Sequence, residues 1–484
     1  MSIKVKIVTP SVPLKLLVIV LAVGSALAAC GGGGGASTLP ASVAPASASG
    51  PIRGFGSIVI NGCRWSTIQS KVHDDLGNPL GTDNLYMGMQ VQIDGNSDST
   101  GTECMANDIL VDKEFAGTIS SVNSGANQFT LLGQTFTVDT GTFYQDQASS
   151  FASLAAGNYV EVYALAKPDG SYQATLVVKK TMAPASNVYE AQGQITNLNT
   201  GNTSFQIGTG LTVDYSGVQP APTGLANGQL VKVVGNNLTA GGTTLQATKL
   251  ISKTAKDQFA NSAIEIEGYV QNDAGDQDPN TFTIADLPVN VSGASLRGLT
   301  QVTVGAFVEV KGNYDGTTLQ ATRVTTEAER EKEDGGRNEL YGLAKNGTLN
   351  TTSNTLTFTV QNVNVSYSSA SDVCGITTGT PYVEVKGNLS NGTLVANNVE
   401  CKSTGGSTFS NNSFELHGVI ASLSQGSSLF TLTDGTTVDY SAAQFEDGSV
   451  ADLSAGERVE VKGQFDNTNN RVKAVKIELE DKRN

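Results

Sequence analysis

The chain has 484 residues, enough for several domains, and only 15% of them are charged. Its formal net charge is −15, and a strongly acidic surface repels phosphate backbones, which argues against nucleic acid as a partner. Gly, Ser, Thr, Asn and Val are abundant. This composition is typical of a β-rich exported protein with many turns and argues against a helical enzyme.

The N-terminus has the pattern of an export signal. Three lysines precede an apolar run at residues 16–27, which is shorter than a bilayer span, and the small residues of Leu-Ala-Ala-Cys follow, ending at Cys30. We therefore predict that residues 1–29 form a signal peptide and not a membrane helix. Its removal brings the formal net charge of the mature chain to −18.

The Leu-Ala-Ala-Cys ending resembles the bacterial lipobox. The resemblance implies that a diacylglycerol alkylates the thiol of Cys30 and that the freed amine is acylated as well, since stable anchoring takes at least two acyl chains. Gly31 is not the Asp that, by resemblance to known sorting rules, would hold a lipoprotein at the inner membrane. The expected location is therefore the outer membrane of a Gram-negative cell, on its periplasmic or its outer face. The alternative is an ordinary signal peptide cut near Ala29.

Residues 30–50 are rich in Gly, Ala, Ser and Pro, and we predict that they form a flexible tether. From residue 51 onward the sequence repeats. A strand with a central glycine recurs at intervals of 76, 75, 74 and 76 residues, and it is followed each time by a strand of the Val-Glu-Val-Lys-Gly type. The central glycines are Gly117, Gly193, Gly268, Gly342 and Gly418. We count six copies, numbered 1 to 6: residues 51–112, 113–182, 188–253, 263–326, 338–402 and 413–484.

Each copy alternates apolar and polar residues with a period of two, which predicts antiparallel strands with one buried and one solvated face. Five short strands can be recognised in each copy, parted by Gly, Asn, Asp and Ser turns. A flat five-stranded sheet would expose two edges, so closure into a small barrel is favoured. The order of the strands and the positions of the glycines resemble the OB-fold. We predict an all-β protein of six tandem five-stranded OB-like barrels, with a two-sheet sandwich as the alternative.

Four cysteines remain after Cys30, an even number that indicates two disulfide bonds in an exported protein. Because they fall close together in two pairs, we predict the bridges Cys63–Cys104 and Cys374–Cys401. Four free buried thiols are the alternative. A metal site built on cysteine is not expected, since the sequence has no Cys-x-x-Cys spacing and only two histidines.

The opening of copy 1 carries a family resemblance. Gly-Phe-Gly-Ser-Ile-Val-Ile-Asn-Gly at 54–62, followed by Leu-Tyr-Met-Gly-Met-Gln-Val at 85–91, is similar to the bacterial domain-of-unknown-function family catalogued as number five-six-six-six. The resemblance covers nearly all of the mature chain, although later copies keep only one glycine of the opening. It implies tandem copies in a secreted or lipid-anchored protein of a Gram-negative bacterium. It implies no substrate.

The titratable residues offer few candidate sites. His417 lies just before the central glycine, at a position that holds Ala, Gln, Glu and Tyr in other copies. We therefore interpret this position as a solvent-facing strand position. His73 is expected to lie in a polar loop. The charge run at 327–334 is expected to be a solvated linker or an exposed helical turn. Asp273, Asp276 and Asp278 form a weak calcium candidate, for which an ordinary acidic turn is the favoured alternative. Asp139, Asp214 and Asp439 follow Thr-Val, and Asn290 and Asn364 hold the matching positions of their copies. We interpret this repeated Asp or Asn as a turn residue that bonds its own backbone.

These observations lead to a functional hypothesis. We expect a non-enzymatic lipoprotein of the cell envelope, structural or adhesive, that presents an array of barrels and needs no cofactor. The alternative is a lipoprotein that binds a carbohydrate, peptide or small ligand. The expected contacts are with the membrane, through the lipid anchor, and with an envelope protein or a glycan.

Overall fold

The computed structural model describes residues 44–55, 58–67, 70–81, 84–97, 103–181, 188–208, 210–239, 243–253, 259, 263–271, 280–334, 336–361, 363–401, 414–432, 435–445, 448–466, 469 and 471–479. These residues are almost entirely strand, turn and loop. Within those ranges, no helix has the length and the apolar character needed to cross a membrane. All of them belong to one compact unit that spans residues 39–484.

The strands of the first three copies follow in chain order. Copy 1 contains β1 (Ala44–Pro51), β2 (Gly54–Phe55), β3 (Ile58–Ile60), β4 (Cys63–Ser66), β5 (Lys71–Asp74), β6 (Gln90–Ser97) and β7 (Glu103–Val111). Copy 2 contains β8 (Phe115–Asn123), β9 (Gln128–Leu131), β10 (Gln134–Thr137), β11 (Phe143–Asp146), a 3-10 helix (Phe151–Ser153), β12 (Tyr159–Ala166) and β13 (Tyr172–Lys179). Copy 3 contains β14 (Tyr189–Asn199), β15 (Ser204–Ile207), β16 (Leu211–Asp214), β17 (Leu230–Leu238) and β18 (Thr244–Ser252).

The last three copies have the same order, and a short helix precedes copy 5. Copy 4 contains β19 (Ala263–Tyr269), β20 (Thr281–Ile284), β21 (Leu287–Asn290), β22 (Ser295–Arg297), β23 (Phe307–Tyr314) and β24 (Leu319–Thr326), and α1 (Glu327–Asp334) follows. Copy 5 contains β25 (Asn338–Leu343), β26 (Lys345–Asn350), β27 (Thr355–Val360), β28 (Val363–Ser368), β29 (Tyr382–Ser390) and β30 (Thr393–Cys401). Copy 6 contains β31 (Phe414–Ser424), a 3-10 helix (Gln425–Ser427), β32 (Leu429–Leu432), β33 (Thr437–Asp439), β34 (Gln444–Phe445), a 3-10 helix (Val450–Asp452), β35 (Arg458–Asp466) and β36 (Arg471–Leu479).

The copies fold into closed five-stranded barrels. In copy 3, β14 pairs with β15, β15 with β16, β16 runs parallel to β18, β18 pairs with β17, and β17 returns to β14. Copies 2, 5 and 6 repeat this circuit with full ladders. In copy 1 the first and second barrel strands meet at one residue pair, Gly54 with Val59, and in copy 4 at the bridge between Gln271 and Thr283. Closure of the circuit leaves few free edges, as the sequence predicts.

One boundary predicted from composition is wrong. The composition predicts a flexible tether over residues 30–50, but Ala44–Pro51 is a strand. It pairs antiparallel with β6 along its whole length, so it is the first strand of the copy 1 barrel. Other strands cover this strand on both sides, and small residues such as Ala48 are buried there. Because the segment has few large apolar side chains, its sequence does not indicate a strand.

Each central glycine lies under a side chain of the second barrel strand. A Cβ at Gly193 would be 2.6 Å from Cγ2 of Ile207, and a Cβ at Gly268 would be 2.6 Å from Cγ2 of Ile284. The large apolar side chain opposite therefore fills the space that a side chain on the first strand would need. This explains the regular spacing of these glycines along the sequence.

The glycine at the end of each Val-Glu-Val-Lys-Gly motif is needed for a different reason. The register shifts by a bulge next to this glycine in copies 1, 3, 4, 5 and 6, where the fourth barrel strand pairs with the fifth. A Cβ at Gly312, for example, would lie 2.3 Å from the carbonyl oxygen of Gln320. At Gly312 the bulge brings the two backbones so close that a side chain would require displacement. Copy 2 has the same bulge with Ala164 at this position.

Strand pairing also joins one copy to another. Within its own barrel, the first half of the first strand pairs only with the fourth strand. The opposite edge of this half-strand is therefore free to pair with another copy. β1 covers this edge of β19 by parallel pairing at Ser47–Ser49, and β2 covers that of β25 at Gly54–Phe55. Gly54 permits the second contact, since a Cβ there would be 2.3 Å from the carbonyl oxygen of Glu339. Copies 1, 4 and 5 therefore share one hydrogen-bonded network of strands.

The buried apolar side chains group the copies differently from the strand network. One hydrophobic cluster spans copies 1 and 5 and includes four residues of copy 2, another spans copies 2 and 3, and copy 4 has a cluster of its own. The cluster of copy 6 includes Tyr341 and Tyr382 from copy 5. Neighbouring copies thus bury side chains against each other, and they are not independent modules on a string.

Candidate functional site: a cavity where four copies meet

Both disulfide bonds have the predicted partners. Cys63 is bonded to Cys104 within copy 1, and Cys374 is bonded to Cys401 within copy 5. Cys30, the predicted lipidation site, lies outside the described residues. The same is true of the weak calcium candidates Asp273, Asp276 and Asp278. Among the residues that the structure does describe, no group of three or more His, Cys, Asp or Glu side chains is arranged to hold a metal ion.

His73 lies on β5 and not in a loop, so its predicted placement is wrong. Its Nε2 lies 3.0 Å from a carboxylate oxygen of Asp108, and its Nδ1 lies 3.0 Å from the carbonyl oxygen of Asp74. Burial lowers the pKa of His73, but these two partners more than offset burial and raise the pKa above its ordinary value. Both contacts lie within copy 1, so the arrangement holds a strand in place. The backbone of His417 lies in β31, and its side chain is outside the described part of the chain.

The repeated Asp or Asn near the end of the third barrel strand is a turn residue, as predicted, in four copies. Its side-chain oxygen accepts a hydrogen bond from the backbone N–H two residues later, at 2.8 to 3.0 Å. The residues concerned are Asp139, Asp214, Asn290 and Asp439. In copy 5 the prediction is wrong, because Asn364 lies inside β28, which continues to Ser368.

The position before the central glycine is not solvent-facing. Ala116, Glu267 and Tyr341 are buried there, at 1%, 3% and 8% exposure, and Gln192 is half-buried. The side chain does point away from its own barrel. Another copy covers it, so a position that would be wet on an isolated barrel becomes part of an interface. The variety of residue types at this position therefore reflects different neighbours and not exposure to water.

A buried ion cluster joins copies 1 and 4, and we call it the copy 1–4 cluster: Arg53, Glu267, Glu309 and Arg330. Nη2 of Arg53 lies 2.6 Å from Oε1 of Glu267, with both side chains at most 3% exposed. Arg330 comes from α1 and lies 3.6 Å from Glu309 and 3.9 Å from Glu267. Burial lowers the pKa of Arg53 to about 10, with a further contribution from Arg337. The charge run at 327–334 is therefore a helix with Arg330 buried, and the prediction of a solvated linker or an exposed helical turn is wrong.

A second group of ion pairs, the copy 1–3 cluster, consists of Asp75, Asp112, Lys113, Glu190, Lys232 and Lys253. Lys232 of copy 3 is fully buried and pairs with Asp75 of copy 1 and with Glu190 at 3.1 Å. Lys253 lies 2.5 Å from Asp112. Burial opposes ionisation of Asp112, but Lys253 and Lys232 more than offset burial and lower the pKa of Asp112 to about 2.

Between these clusters lies a cavity of about 300 Å³ walled by copies 1, 2, 3 and 4. Its floor is buried and largely polar, with Gln90, Gln92 and Glu114 each less than 10% exposed. Its rim is exposed at Gly170 and Gln194, so the cavity opens to solvent. A volume near 300 Å³ is at the lower limit of pockets that bind small molecules, which span about 300 to 1,000 Å³.

Hydrogen bonds between copies fix the walls of this cavity. Nε2 of Gln192 in copy 3 lies 3.3 Å from Asp112, and Nε2 of Gln271 in copy 4 lies 3.3 Å from the carbonyl oxygen of Ala166 in copy 2. Gln194 of copy 3 donates to the carboxylate of Asp286 in copy 4. The walls are therefore held by all of the surrounding barrels, and the cavity exists only when they are docked.

Glu114 lies at the cavity floor, in the segment that links copy 1 to copy 2. Its Oε2 accepts a hydrogen bond from the backbone N–H of Ala164 at 2.9 Å. Burial, with a smaller contribution from Asp112, raises the pKa of Glu114 well above its ordinary value. A raised pKa extends the pH range over which the carboxyl group keeps its proton and can donate as well as accept a hydrogen bond.

The fold and this junction define an all-β protein of closed five-stranded barrels docked against one another. Three segments, residues 116–178, 267–325 and 417–478, match the model of the family described as "Domain of unknown function (DUF5666)". They fall in copies 2, 4 and 6, which is consistent with tandem copies of this domain. Residues 54–62 and 85–91 of copy 1, on which the resemblance rests, lie outside the matched segments.

Among solved structures, the chain is similar to "drosophila Unr CSD456", at 14% identity over 44% of this chain and 96% of that chain. The TM-score is 0.14, too low for this similarity to carry an argument. No curated protein matches the chain.

Proposed function

We propose that the protein is a non-enzymatic lipoprotein of the cell envelope, anchored in the outer membrane through Cys30, with a structural or adhesive role. The N-terminal signal and the Leu-Ala-Ala-Cys ending support the anchor. We further propose that six barrels form the exported part, since the repeat is counted six times in the sequence. The acidic net charge favours solubility at the cell surface.

One structural observation carries the structural role: neighbouring copies are joined by shared strand pairing and by buried ion pairs. Isolated modules on flexible links would give reach, and the sequence alone favours that arrangement. Docked copies instead give one body, whose outer surface combines several copies and is stiffened by contacts such as Arg53 with Glu267 and Lys232 with Asp75. A stiff surface of this kind suits a scaffold or an adhesive surface in the envelope.

The anchor is tested by expressing the full chain in a Gram-negative host and fractionating its membranes. Cys30→Ser should release the protein from the membrane fraction, because no lipid can then be attached. Gly31→Asp is the matched variant: it keeps Cys30, and by the sorting rules it should move the protein from the outer to the inner membrane. Retention of Cys30→Ser in the outer membrane would contradict lipid anchoring.

The structural or adhesive role is tested by deleting the gene in its own host. The deletion should weaken envelope integrity or surface attachment, and the full-length gene should restore the lost property. Complementation with Lys232→Met, which removes a buried cation between copies, should restore it less well than wild type if docking matters. Unchanged envelope integrity and attachment in the deletion strain would contradict the proposal.

A further inference from the structure

The cavity between copies 1, 2, 3 and 4 is lined by two side chains of opposite charge that are not paired with each other. Asp286 comes from the turn between β20 and β21 of copy 4, and Lys167 comes from the turn between β12 and β13 of copy 2. In the described part of the chain, neither side chain takes part in an ion pair. The docking of the copies therefore brings an anion and a cation to one cavity without joining them.

The carboxylate of Asp286 has an accessible oxygen without a partner. Its Oδ1 accepts a hydrogen bond from Nε2 of Gln194, whereas its Oδ2 has no hydrogen-bond partner among the described residues and is not fully buried. Burial raises the pKa of Asp286, and the hydrogen bond from Gln194 offsets only part of that shift. An ammonium group at Oδ2 would supply the counter-charge that the protein does not.

The ammonium group of Lys167 is held at the wall of the cavity. Its Nζ donates a hydrogen bond to Oγ1 of Thr137 at 2.7 Å, which uses one of its three N–H donors. Asp169 lies in the same turn, but its Oδ1 accepts from the backbone N–H and the hydroxyl of Ser171, at 2.9 and 2.7 Å. Nζ of Lys167 also lies 5.7 Å from the ring centre of Tyr269, within the range of a cation–π contact.

The other carboxyl groups that line the cavity need no counter-charge from a ligand. Glu267 pairs with Arg53 at 2.6 Å, and Asp112 pairs with Lys253 at 2.5 Å. Burial favours the uncharged form of Glu114. The uncompensated charges are therefore those of the two turn residues. They repel a ligand that is only an anion or only a cation, and both attract a ligand that carries the two charges.

We infer that this cavity binds a small zwitterion, a free amino acid or a dipeptide, with its ammonium group on Asp286 and its carboxylate on Lys167. A cavity of about 300 Å³ suits a ligand of this size. The half-buried rings of Tyr172 and Tyr269 line the cavity and give the side chain of the ligand an apolar surface to pack on. This inference concerns a binding site and does not depend on the lipid anchor or on a role in the envelope.

The test is isothermal titration calorimetry of the purified full-length protein near neutral pH. The zwitterionic probes are glycine, leucine, phenylalanine, glycylglycine and leucyl-leucine, and the tighter class of probe distinguishes a free amino acid from a dipeptide. We expect at least one of them to bind with a Kd below about 1 mM. The N-acetyl derivative of that probe keeps only the carboxylate, and its amide derivative keeps only the ammonium. Each should bind about tenfold more weakly or worse, since it loses one charge-assisted hydrogen bond.

Two variants test the assignment of the charges. Asp286→Asn should weaken binding of the zwitterion by about tenfold and narrow its advantage over the N-acetyl derivative, because the repulsion of the carboxylate is removed. Asn tolerates the positive φ of 65° at this position, so the turn is retained. Lys167→Met should instead narrow the advantage over the amide derivative. Asp315→Asn, at an exposed turn of copy 4 outside the cavity, should leave binding unchanged.

Hydrogen exchange of the wild-type protein locates the site without any variant. The bound zwitterion should slow exchange in peptides that cover 166–172 and 283–287. The inference is overturned if no zwitterionic probe gives heat or if a derivative with a single charge binds as tightly as the zwitterion. Wild-type affinity in Asp286→Asn, or protection that maps elsewhere, would overturn it as well.

Discussion

Replacing Lys232 by Met should destabilise the protein by about 3 kcal/mol. The side chain of Lys232 is fully buried, and its ammonium group contacts Asp75 of copy 1 and Glu190 of copy 3. Met retains the length of the side chain and removes the charge. Breaking a buried ion pair from one side costs about 3 to 5 kcal/mol. We expect the lower value because Lys253 still lies 3.3 Å from Asp75 and Lys113 still lies 2.9 Å from Glu190.

The assay is equilibrium unfolding in urea, followed by circular dichroism and by the fluorescence of Trp65. Trp65 is the one tryptophan of the sequence and is buried in copy 1, which contributes Asp75 to the contact. Lys311→Met is the matched control, since Lys311 also lies in a fourth barrel strand but is 44% exposed where it pairs with Glu265. An exposed pair of this kind is worth at most about 1 kcal/mol.

The direction of the pKa shift of Lys232 determines the pH at which the experiment should be done. Burial lowers the pKa of Lys232, but Asp75 and Glu190 more than offset burial and raise it above 10.5. The stabilisation is therefore complete below the pKa of the unfolded chain and is lost as pH rises through the folded pKa, so pH 7 reports all of it. Equal, small effects of Lys232→Met and Lys311→Met would show that ion pairing does not hold copies 1 and 3 together.

Three further predictions concern the barrels themselves. Gly312→Ala should destabilise the protein by about 1 to 3 kcal/mol in the same urea assay, because its Cβ would lie 2.3 Å from a carbonyl oxygen; Gly426→Ala, which meets open space, should stay within about 0.5 kcal/mol. Replacing both Cys63 and Cys104 by Ser should cost about 3 to 4 kcal/mol, and non-reducing mass mapping that links Cys63 to copy 5 would contradict the pairing. Since burial raises the pKa of Glu114, this group should contribute a fall of stability as pH rises from about 4.5 through its folded pKa. Glu114→Gln should remove that contribution and make the pH slope less negative, and equal pH slopes for the two proteins would refute it.

Much of the fold could be predicted from the sequence because its causes are local. The central glycines are spaced by the side chains that cover them, such as Ile207 over Gly193, and the bulge glycines by a close backbone contact. The disulfide partners follow from their closeness in sequence within one copy. Each of these constraints acts inside a single barrel, so one copy of the repeat contains the information that determines it.

The strand at 44–51 and the docked helix α1 could not be predicted in the same way. Ala44–Pro51 has the composition of a tether, and it is a strand because β6 and β19 offer it hydrogen-bonding partners. The charges of α1 predict a solvated segment, yet Arg330 is buried because Glu267 and Glu309 lie within 4 Å of it. In both cases the decisive partner belongs to another part of the chain.

The candidate cavity was missed for a related reason, and the comparison of copies contains a signal that could have found it. Alternation within one copy assigns the outward residues of the first and fourth barrel strands to solvent. If that were correct, every copy should have similar polar residues there. The position before the central glycine instead holds Ala116, Gln192, Glu267 and Tyr341. Lys232 lies opposite Gln192, where copies 2, 4, 5 and 6 have Glu and copy 1 has Gln. The position before the central glycine contacts a different neighbour in each copy, which explains why it holds an apolar, an amide, an acidic or an aromatic residue. The outward positions that vary most in chemical type among otherwise similar repeats are therefore the ones to examine first for contacts between repeats. In this chain two of them, Gln192 and Glu267, line the cavity where four copies meet.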